Sequence, residues 1–318
     1  MRKTAFATGA AAFVFTLSAT LPVSAQDAPA APSPGEIVAQ ATSAEWVAIP
    51  PEDLLVMTLA PDAAGKPREV IIQLIPEPFS QGWVDNIRTL AGAGWYDGIA
   101  VTRVQDNYVV QWGDPAGEDA AKAKPLPEGL ETIAERDYLA PVPEGGEVPT
   151  GRFGLDDSYA QSVGFVDGFP VARSGGWWWP VHCYGMVGVG RGMSPETGTG
   201  AELYTVIGHA PRHLDRNIAL VGRVVEGIEH LTTLPRGTGP LGFYEDPAQH
   251  VPIESIRVAS DLPAGERPSF EYLSTDGETF ARYVDARANR RDPFFILPAG
   301  GADVCNIPVP VRRIGESN

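Results

Sequence analysis

Basic residues are scarce in this sequence. Its 318 residues include 24 lysines and arginines against 40 aspartates and glutamates, for a formal net charge of −16. A surface this acidic repels phosphate backbones, which argues against nucleic acid as a partner. Keeping the chain in solution is a sufficient explanation of the acidity, so the charge indicates no particular substrate.

Cysteine and metal-ligand patterns are equally sparse. Cys183 and Cys305 are the two cysteines, which excludes a framework of several disulfides. The five histidines are scattered through the chain. His209 and His213 are four residues apart, but they flank Pro211, where helical spacing loses its meaning. We therefore expect no metal site, and nothing in the sequence requires a cofactor.

Long apolar runs are absent except at the N-terminus. Met1-Arg2-Lys3 is positively charged, residues 5–21 form an apolar run of 17 residues, and Val23-Ser24-Ala25 fits the small-x-small cleavage rule. This layout is typical of a secretory signal peptide, residues 1–25. An uncleaved anchor is the alternative, although its Ala, Gly, Thr and Ser content makes it a poor one. We expect a soluble mature chain, periplasmic or secreted, with no membrane partner after signal cleavage.

Nucleophile motifs and repeats are missing as well. No Gly-x-Ser-x-Gly occurs, so an exported hydrolase has little support. Nothing recurs at a fixed period, which argues against a propeller or a solenoid. Hydrophobic residues make up 43% of the chain, enough for a core held by burial.

What the sequence does contain is a series of short β-forming runs. One helix is predicted where Trp83, Ile87 and Leu90 recur at intervals of four and three residues, after Ser80 as a possible cap. Mostly β structure with closely spaced strands favours a closed barrel or a sandwich. The predicted strands cover residues 54–59, 69–75, 99–104, 108–111, 184–189, 201–207, 218–224 and 253–258.

Composition divides the chain into segments. Residues 26–45, rich in Ala, Pro, Ser and Glu, are predicted to be a flexible linker. Residues 46–260 hold the predicted strands, expanded by a Pro/Gly-rich, acidic insertion at 115–185. In the C-terminal extension, residues 261–318, Thr275-Asp276-Gly277-Glu278 has capping-box spacing, so one more helix is expected there.

Two stretches of the strand-bearing segment carry recognisable motifs. Residues 101–114 read VTRVQDNYVVQWGD, and residues 200–227 include GAELYT, HLDRN and GRVVEG. In order and spacing they resemble the signature F-H-R-I-I-P-G-F-M-x-Q-G-G-D and the motifs G-S-Q-F-F-I, W-L-D-G-K and G-x-V-x-x-G of the cyclophilin family. The resemblance implies a mainly β fold, a closed eight-stranded antiparallel barrel with capping helices, and peptidyl-prolyl cis-trans isomerase (rotamase) activity.

The resemblance also implies two catalytic residues. Isomerisation of an X-Pro bond needs no nucleophile, only a site that binds the twisted amide better than either planar isomer. By resemblance, Arg103 is the guanidinium that acts on the prolyl nitrogen, and Gln111 holds the substrate backbone or orients Arg103. Taken alone, Arg103 would be a surface cation on an edge strand and Gln111 a residue that caps its strand.

Proline-containing polypeptides are the partners that the resemblance implies. Family members hold the proline ring in an apolar, partly aromatic cup, whose positions here are Tyr108, Val109, Tyr204 and Leu214. Such side chains on strands are more often part of a core, which is the alternative for each of them. The full set of substrate-binding positions implied in this way is Tyr108, Val109, Glu202, Leu203, Tyr204, His213 and Leu214.

Departures from the family pattern leave two functions open. Glu202 replaces a glutamine, His213 a tryptophan and Ile218 a histidine. Glu202 could pair with Arg103 and hold it away from substrate, or it could select cationic peptides. One hypothesis is an isomerase, of full or reduced activity, that assists the folding of exported proteins. The other is a non-catalytic peptide- or protein-binding module or chaperone.

Two local features complete the predictions. Export and an even cysteine count predict a Cys183–Cys305 disulfide that attaches the C-terminal extension to the barrel. The triplet Trp177-Trp178-Trp179 is either an exposed grip for client chains or an aromatic plug over a barrel end.

Overall fold

A computed structural model describes residues 30–143 and 152–315 of the chain. The predicted signal peptide, residues 26–29 of the predicted linker and residues 144–151 of the predicted insertion lie outside the described residues. Within the described ranges, no helix has the length and apolar character needed to cross a bilayer.

Among the described residues, strands outnumber helices. The helices are α1 (Pro34–Ala39), α2 (Gln81–Gly92), α3 (Glu229–Thr232) and α4 (Glu278–Ala288). The strands are β1 (Trp46–Ala48), β2 (Leu54–Leu59), β3 (Arg68–Leu74), β4 (Ala100–Val104), β5 (Val109–Gly113), β6 (Ala140–Pro141), β7 (Ser162–Val166), β8 (Phe169–Ser174), β9 (Trp177–Pro180), β10 (Met186–Val189), β11 (Leu203–Val206), β12 (Leu220–Glu226), β13 (Val251–Val258), β14 (Phe270–Leu273) and β15 (Val311–Arg313).

Eight of these strands close an antiparallel barrel in the order β10-β11-β5-β4-β13-β2-β3-β12. They are the eight strands predicted from the sequence, and the mainly β fold class with a closed barrel is confirmed. Side chains alternate across each strand, so Val110 and Trp112 of β5 enter the buried core while Val109 and Gln111 face outward. The side chains on the outer face of β5 are therefore not part of the barrel core and are available to form a site.

The described part of the insertion forms a second sheet, in the order β6-β9-β8-β7. The tryptophan triplet lies on its strand β9. Trp178 and Trp179 are buried, and the Trp178 ring lies 5.0 Å from that of Phe79, whereas Trp177 is 49% exposed. Two of the three rings thus pack into the protein, and only Trp177 is available as a surface group.

The described part of the predicted linker is ordered, which corrects the prediction of a flexible tether. Ser33 and Glu36 form a capping box at the start of α1, and Ile37 of this helix is buried. Helix α1 packs against α4, where Arg282 donates a 2.9 Å hydrogen bond to the Gln40 side chain. Composition alone missed this element because its packing partner lies far away in the chain.

Both ends of the described chain meet in one small sheet, in the order β1-β14-β15. Strand β1 therefore pairs with the C-terminal extension and not with the barrel. The helix predicted in the extension is α4, which follows β14. Gly277 is its N-cap and Thr275 is buried, so the predicted capping box does not form.

A disulfide joins Cys183, just before β10, to Cys305 in the extension, 122 residues away. We expect the double variant Cys183→Ala/Cys305→Ala to lose about 2–4 kcal/mol of unfolding free energy, because the bond restricts the unfolded chain. Denaturant unfolding measures the loss, and reduced wild-type protein is the matched control. Equal stability of the oxidised protein, the reduced protein and the variant would contradict this expectation.

Candidate active site

The hairpin of β4 and β5 brings Arg103 and Gln111 together. The two residues are direct cross-strand partners, next to a register shift between Val101 and Arg103. Arg103 Nη1 donates a 2.7 Å hydrogen bond to Gln111 Oε1. Arg103 is half-buried and is not a free surface cation, because its guanidinium is held against the outer face of the barrel.

Further contacts hold the Arg103 guanidinium in one orientation. Its Nε donates to the Leu241 carbonyl oxygen at 2.7 Å, and its Nη2 donates to the Gln105 side chain. Its central carbon lies 5.7 Å from the Tyr108 ring centroid and 5.3 Å from that of Phe243. A guanidinium has five N–H groups, so these three hydrogen bonds to described residues leave two for a ligand.

Glu202 contacts Gln111, which in turn contacts Arg103. Gln111 Nε2 donates to the Glu202 carboxylate, so the amide presents its oxygen to Arg103 and its nitrogen to Glu202. No ion pair joins Arg103 and Glu202 directly in the described parts of the chain, which removes support from the idea that Glu202 pulls Arg103 away from substrate. Burial raises the pKa of Glu202, opposed by the hydrogen bond from Gln111.

Burial also acts on the cation. It lowers the pKa of Arg103, against the opposing effects of Tyr108 and Glu202. A guanidinium remains charged even so, because its ordinary pKa lies far above neutral pH. The site therefore presents a charged, partly desolvated donor group whose interaction with a ligand is stronger than it would be in water.

The group of residues predicted to form the cup lies beside Arg103. It is a small apolar cluster on the outside of the barrel, separate from the main core. Tyr108 at its rim stacks on the exposed ring of His213, with centroids 6.2 Å apart and an interplanar angle of 11°. The cluster consists of Val109, Tyr204 and Val206, with Tyr108, Leu214 and Ile218 packed against them.

Leu203 is wrong as a substrate-binding residue. It is 1% exposed and belongs to the barrel core, whereas Tyr204 next to it belongs to the cup. Successive side chains of a strand point to opposite faces, so Glu202 and Tyr204 face the site and Leu203 cannot. The structure brings the other eight candidate residues, including Arg103 and Gln111, to one outer surface.

Several site residues were missed from the sequence. Val206 had a signal, since it lies two positions after Tyr204 and shares its face. Gln105 had the same signal, since it lies two positions after Arg103. Phe243 and the carbonyl of Leu241 had none, because they reach Arg103 from a distant loop. Among the described residues, no group of three His, Cys, Asp or Glu side chains is placed to hold a metal ion.

A buried polar network lies behind the cup. Tyr204 Oη is 2.8 Å from His182 Nε2, and His182 Nδ1 is 2.9 Å from Asp215 Oδ1. Arg212 donates to Asp215 at 2.7 Å and to Asp157 at 2.6 and 3.2 Å. Burial would raise the pKa of Asp215, but the hydrogen bonds from His182 and the charge of Arg212 hold it below its ordinary value. All five side chains are almost completely buried.

A cavity of about 660 Å³ opens beside Glu202. Thr102 and Phe243 line the side nearest to Arg103. Two cations, Lys124 and Arg191, also line it, but both donate to backbone carbonyl oxygens. The acidic side chains of the lining are Asp114, Glu118, Glu196 and Glu202.

Comparison with known proteins agrees with this geometry. Residues 67–258 match the family model for "Cyclophilin type peptidyl-prolyl cis-trans isomerase/CLD". The structure is similar to that of cyclophilin AquaCyp293 from Hirschia baltica, with a TM-score of 0.65 and 25% identity over 86% of this chain and 95% of that one. A search of curated proteins found no match.

Two other solved structures are more distantly similar to this chain. Both are of a cyclophilin type peptidyl-prolyl cis-trans isomerase from Cryptosporidium parvum, at 13% identity. One has a TM-score of 0.40 over 65% of this chain and 96% of that one. The other, determined in the presence of the dipeptide Ala-Pro, has a TM-score of 0.37 over 64% and 98%.

Proposed function

This chain belongs to the cyclophilin type peptidyl-prolyl cis-trans isomerase family, and from that premise we propose that it isomerises X-Pro bonds of exported proteins and so assists their folding. The observation that carries the proposal is the oriented guanidinium of Arg103 at the rim of an apolar cup. A proline ring fits such a cup, because it is apolar and lacks an N–H that would need a partner.

The proposed mechanism is preferential binding of the twisted amide. Resonance makes the barrier about 18–20 kcal/mol, and twisting the bond localises a lone pair on the prolyl nitrogen. With the ring in the cup, the free N–H groups of Arg103 donate to that nitrogen or to the neighbouring carbonyl oxygen. Gln111 and Leu241 hold the guanidinium beforehand, so little reorganisation is needed when the charge develops.

A periplasmic or secreted location is part of the proposal. Residues 1–25 have the pattern of a secretory signal peptide. The Cys183–Cys305 disulfide supports it, since such bonds form and persist mainly in oxidising compartments. Fractionation of cells that express the full chain, followed by N-terminal sequencing, tests the location. A cytosolic protein that retains Met1 or Arg2 as its first residue would contradict it.

A binding module without useful turnover is the second candidate. The specific observation behind it is the contact of Glu202 with Gln111, which occupies an amide that would otherwise be free to hold substrate. An isomerisation assay with a short X-Pro peptide separates the two candidates. Turnover above the uncatalysed rate supports the isomerase, whereas saturable binding of the same peptide without turnover supports the module.

The carboxylates of the cavity indicate which clients are preferred. Glu202 and three other acidic residues line this space, where they outnumber its two cations. A lysine or arginine near the proline of a client would find opposite charge there. We propose that a lysine or arginine of the client that reaches this cavity raises the affinity of the protein for the client.

The variant Glu202→Gln tests this preference. We expect kcat/KM for a peptide with lysine near its proline to fall about three- to tenfold, and kcat/KM for a neutral peptide to change less than about twofold. The loss should shrink as salt is added, because ions screen the attraction. Equal effects on basic and neutral peptides would show that Glu202 acts through Gln111 and not on the client.

The same variant has a predictable effect on stability. Because burial raises the pKa of Glu202, the folded protein binds its proton more tightly than the unfolded chain does. Wild type and Glu202→Gln should therefore be similar in stability at acidic pH. As the pH rises through the folded-state pKa, wild type should lose stability relative to the variant. Denaturant unfolding across this range measures the difference.

A further inference from the structure

We infer that His182 is a positioning residue for the isomerase: it holds the Tyr204 ring in place as a wall of the proline cup. The inference rests on the proposed function, in that Tyr204 is taken to contact the substrate ring. It also gives the insertion a role, because His182 and Asp157 both lie in the predicted insertion at 115–185.

The contact between the two rings is direct and enclosed. His182 is 1% exposed, and its Nε2 lies 2.8 Å from the Tyr204 hydroxyl oxygen. The rings are nearly parallel, with centroids 6.3 Å apart and an angle of 9°. The Tyr204 ring also belongs to the cup, together with Val109 and Val206. Its position is thus set by the hydroxyl at one end and by the β11 backbone at the other.

Asp215 determines how His182 is oriented. Its Oδ1 accepts from the His182 backbone N–H at 3.0 Å and lies 2.9 Å from Nδ1. A carboxylate only accepts, so Nδ1 carries a hydrogen. In the neutral imidazole, Nε2 is then the acceptor of the Tyr204 hydroxyl hydrogen. Burial raises the pKa of Tyr204 well above its ordinary value, so the hydroxyl keeps the hydrogen that it donates.

On β10, the residue opposite Tyr204 has no side chain for the ring to pack on. Gly188 of β10 lies opposite Tyr204, and a Cβ at that position would collide with the ring carbon Cζ and the hydroxyl. The glycine makes room for the tyrosine, whose ring lies close against the glycine backbone. The hydrogen bond to His182 then fixes the hydroxyl end of the ring.

The network extends from the ring to the rest of the pocket. Arg212 binds Asp215 on one side and Asp157 of the insertion on the other. The segment that contains Arg212 and Asp215 also carries His213 and Leu214, which contribute to the site. His182 therefore holds Tyr204, and Asp157 holds the segment that carries Leu214. Neither His182 nor Asp157 touches the substrate.

A double-mutant cycle tests the inference in the full mature chain. His182→Ala should lower kcat/KM for an X-Pro peptide about tenfold or more, mainly through KM, because a mobile ring no longer defines the cup. In the Tyr204→Phe background, which lacks the hydroxyl, adding His182→Ala should change kcat/KM less than about twofold. His182→Gln should restore part of the loss, since its amide can both donate and accept.

The control is His230→Ala, on helix α3, which should leave kcat/KM unchanged. An equal loss from His182→Ala in the Tyr204 and Tyr204→Phe backgrounds would overturn the inference, because His182 would then act through the fold and not through the hydroxyl. If His182→Ala does not fold, the comparison of His182→Gln in the two backgrounds is read in the same way.

A measurement that does not depend on turnover, the flipping rate of the Tyr204 ring, separates this inference from the proposed function. With ¹³C-labelled tyrosine rings, the Tyr204 signals of wild type should show a slowly flipping ring, and His182→Gln should show faster averaging. If wild type shows no turnover but the Tyr204 signals of His182→Gln average faster than those of wild type, the proposed function is rejected and the positioning role is kept. Turnover in wild type with an unchanged ring signal in the variant would reject the positioning role alone.

Discussion

Arg103→Ala is expected to lower kcat/KM for an X-Pro peptide about tenfold or more, which corresponds to at least about 1.4 kcal/mol of lost transition-state stabilisation. The expectation follows from the placement of Arg103 at the rim of the cup, with its guanidinium held by Gln111 and the Leu241 carbonyl. The loss should fall mainly on kcat, because the interaction with the prolyl nitrogen exists only when the amide is twisted.

Two companion variants make the result specific. Arg103→Lys should rescue poorly, because an ammonium cannot present a planar set of donors to Gln111, Leu241 and the substrate at once. Arg282→Ala, which removes an arginine on α4, is the matched control and should be neutral for turnover. The melting temperature of Arg103→Ala should shift little, because the side chain lies at the rim of the site and not in the core.

The outcome also decides between the two candidate functions. If Arg103→Ala turns over peptide as well as wild type does, the twisted amide is stabilised by another group and the proposed mechanism is wrong. If wild type itself shows no turnover but binds proline-containing peptides, the protein is a binding module that has kept the cup of its family.

Arg212→Leu is expected to produce the largest loss of stability, about 3–5 kcal/mol of unfolding free energy. Arg212 is the one cation of a buried network that also contains Asp157 and Asp215, both almost fully enclosed. Its removal leaves two carboxylates without their counterion in a poorly solvated place. Urea unfolding at neutral pH, compared with wild type, measures the loss.

The pH dependence and a compensating variant test the cause. The pKa of Asp215 lies below its ordinary value, so its contribution to wild-type stability is present above the unfolded-state pKa and is lost as pH falls through the folded-state pKa. The penalty of Arg212→Leu should therefore shrink in acid, where Asp215 can be protonated. Adding Asp157→Asn and Asp215→Asn should recover part of it at neutral pH. A penalty that does not depend on pH would point to lost packing instead.

Part of the active site was predictable because it is local. Arg103 and Gln111 lie on strands joined by a short turn, so their pairing follows from the hairpin alone. Glu202 and Tyr204 share a face because side chains alternate along a strand, and the same rule excludes Leu203. That residue entered the prediction through its place in a motif, although the alternation already visible in the sequence argued against it.

The sequence by itself determined the eight barrel strands, because alternation and turn chemistry are short-range properties. The candidate site residues were predicted through the resemblance to the cyclophilin family. Only the tertiary structure decided that α1 is ordered, since its partner α4 lies more than 200 residues away. It also decided that Glu202 reaches Gln111 and not Arg103, and that His182 supports Tyr204. Such contacts depend on the distances and angles between elements distant in the chain, which no local pattern of residues encodes.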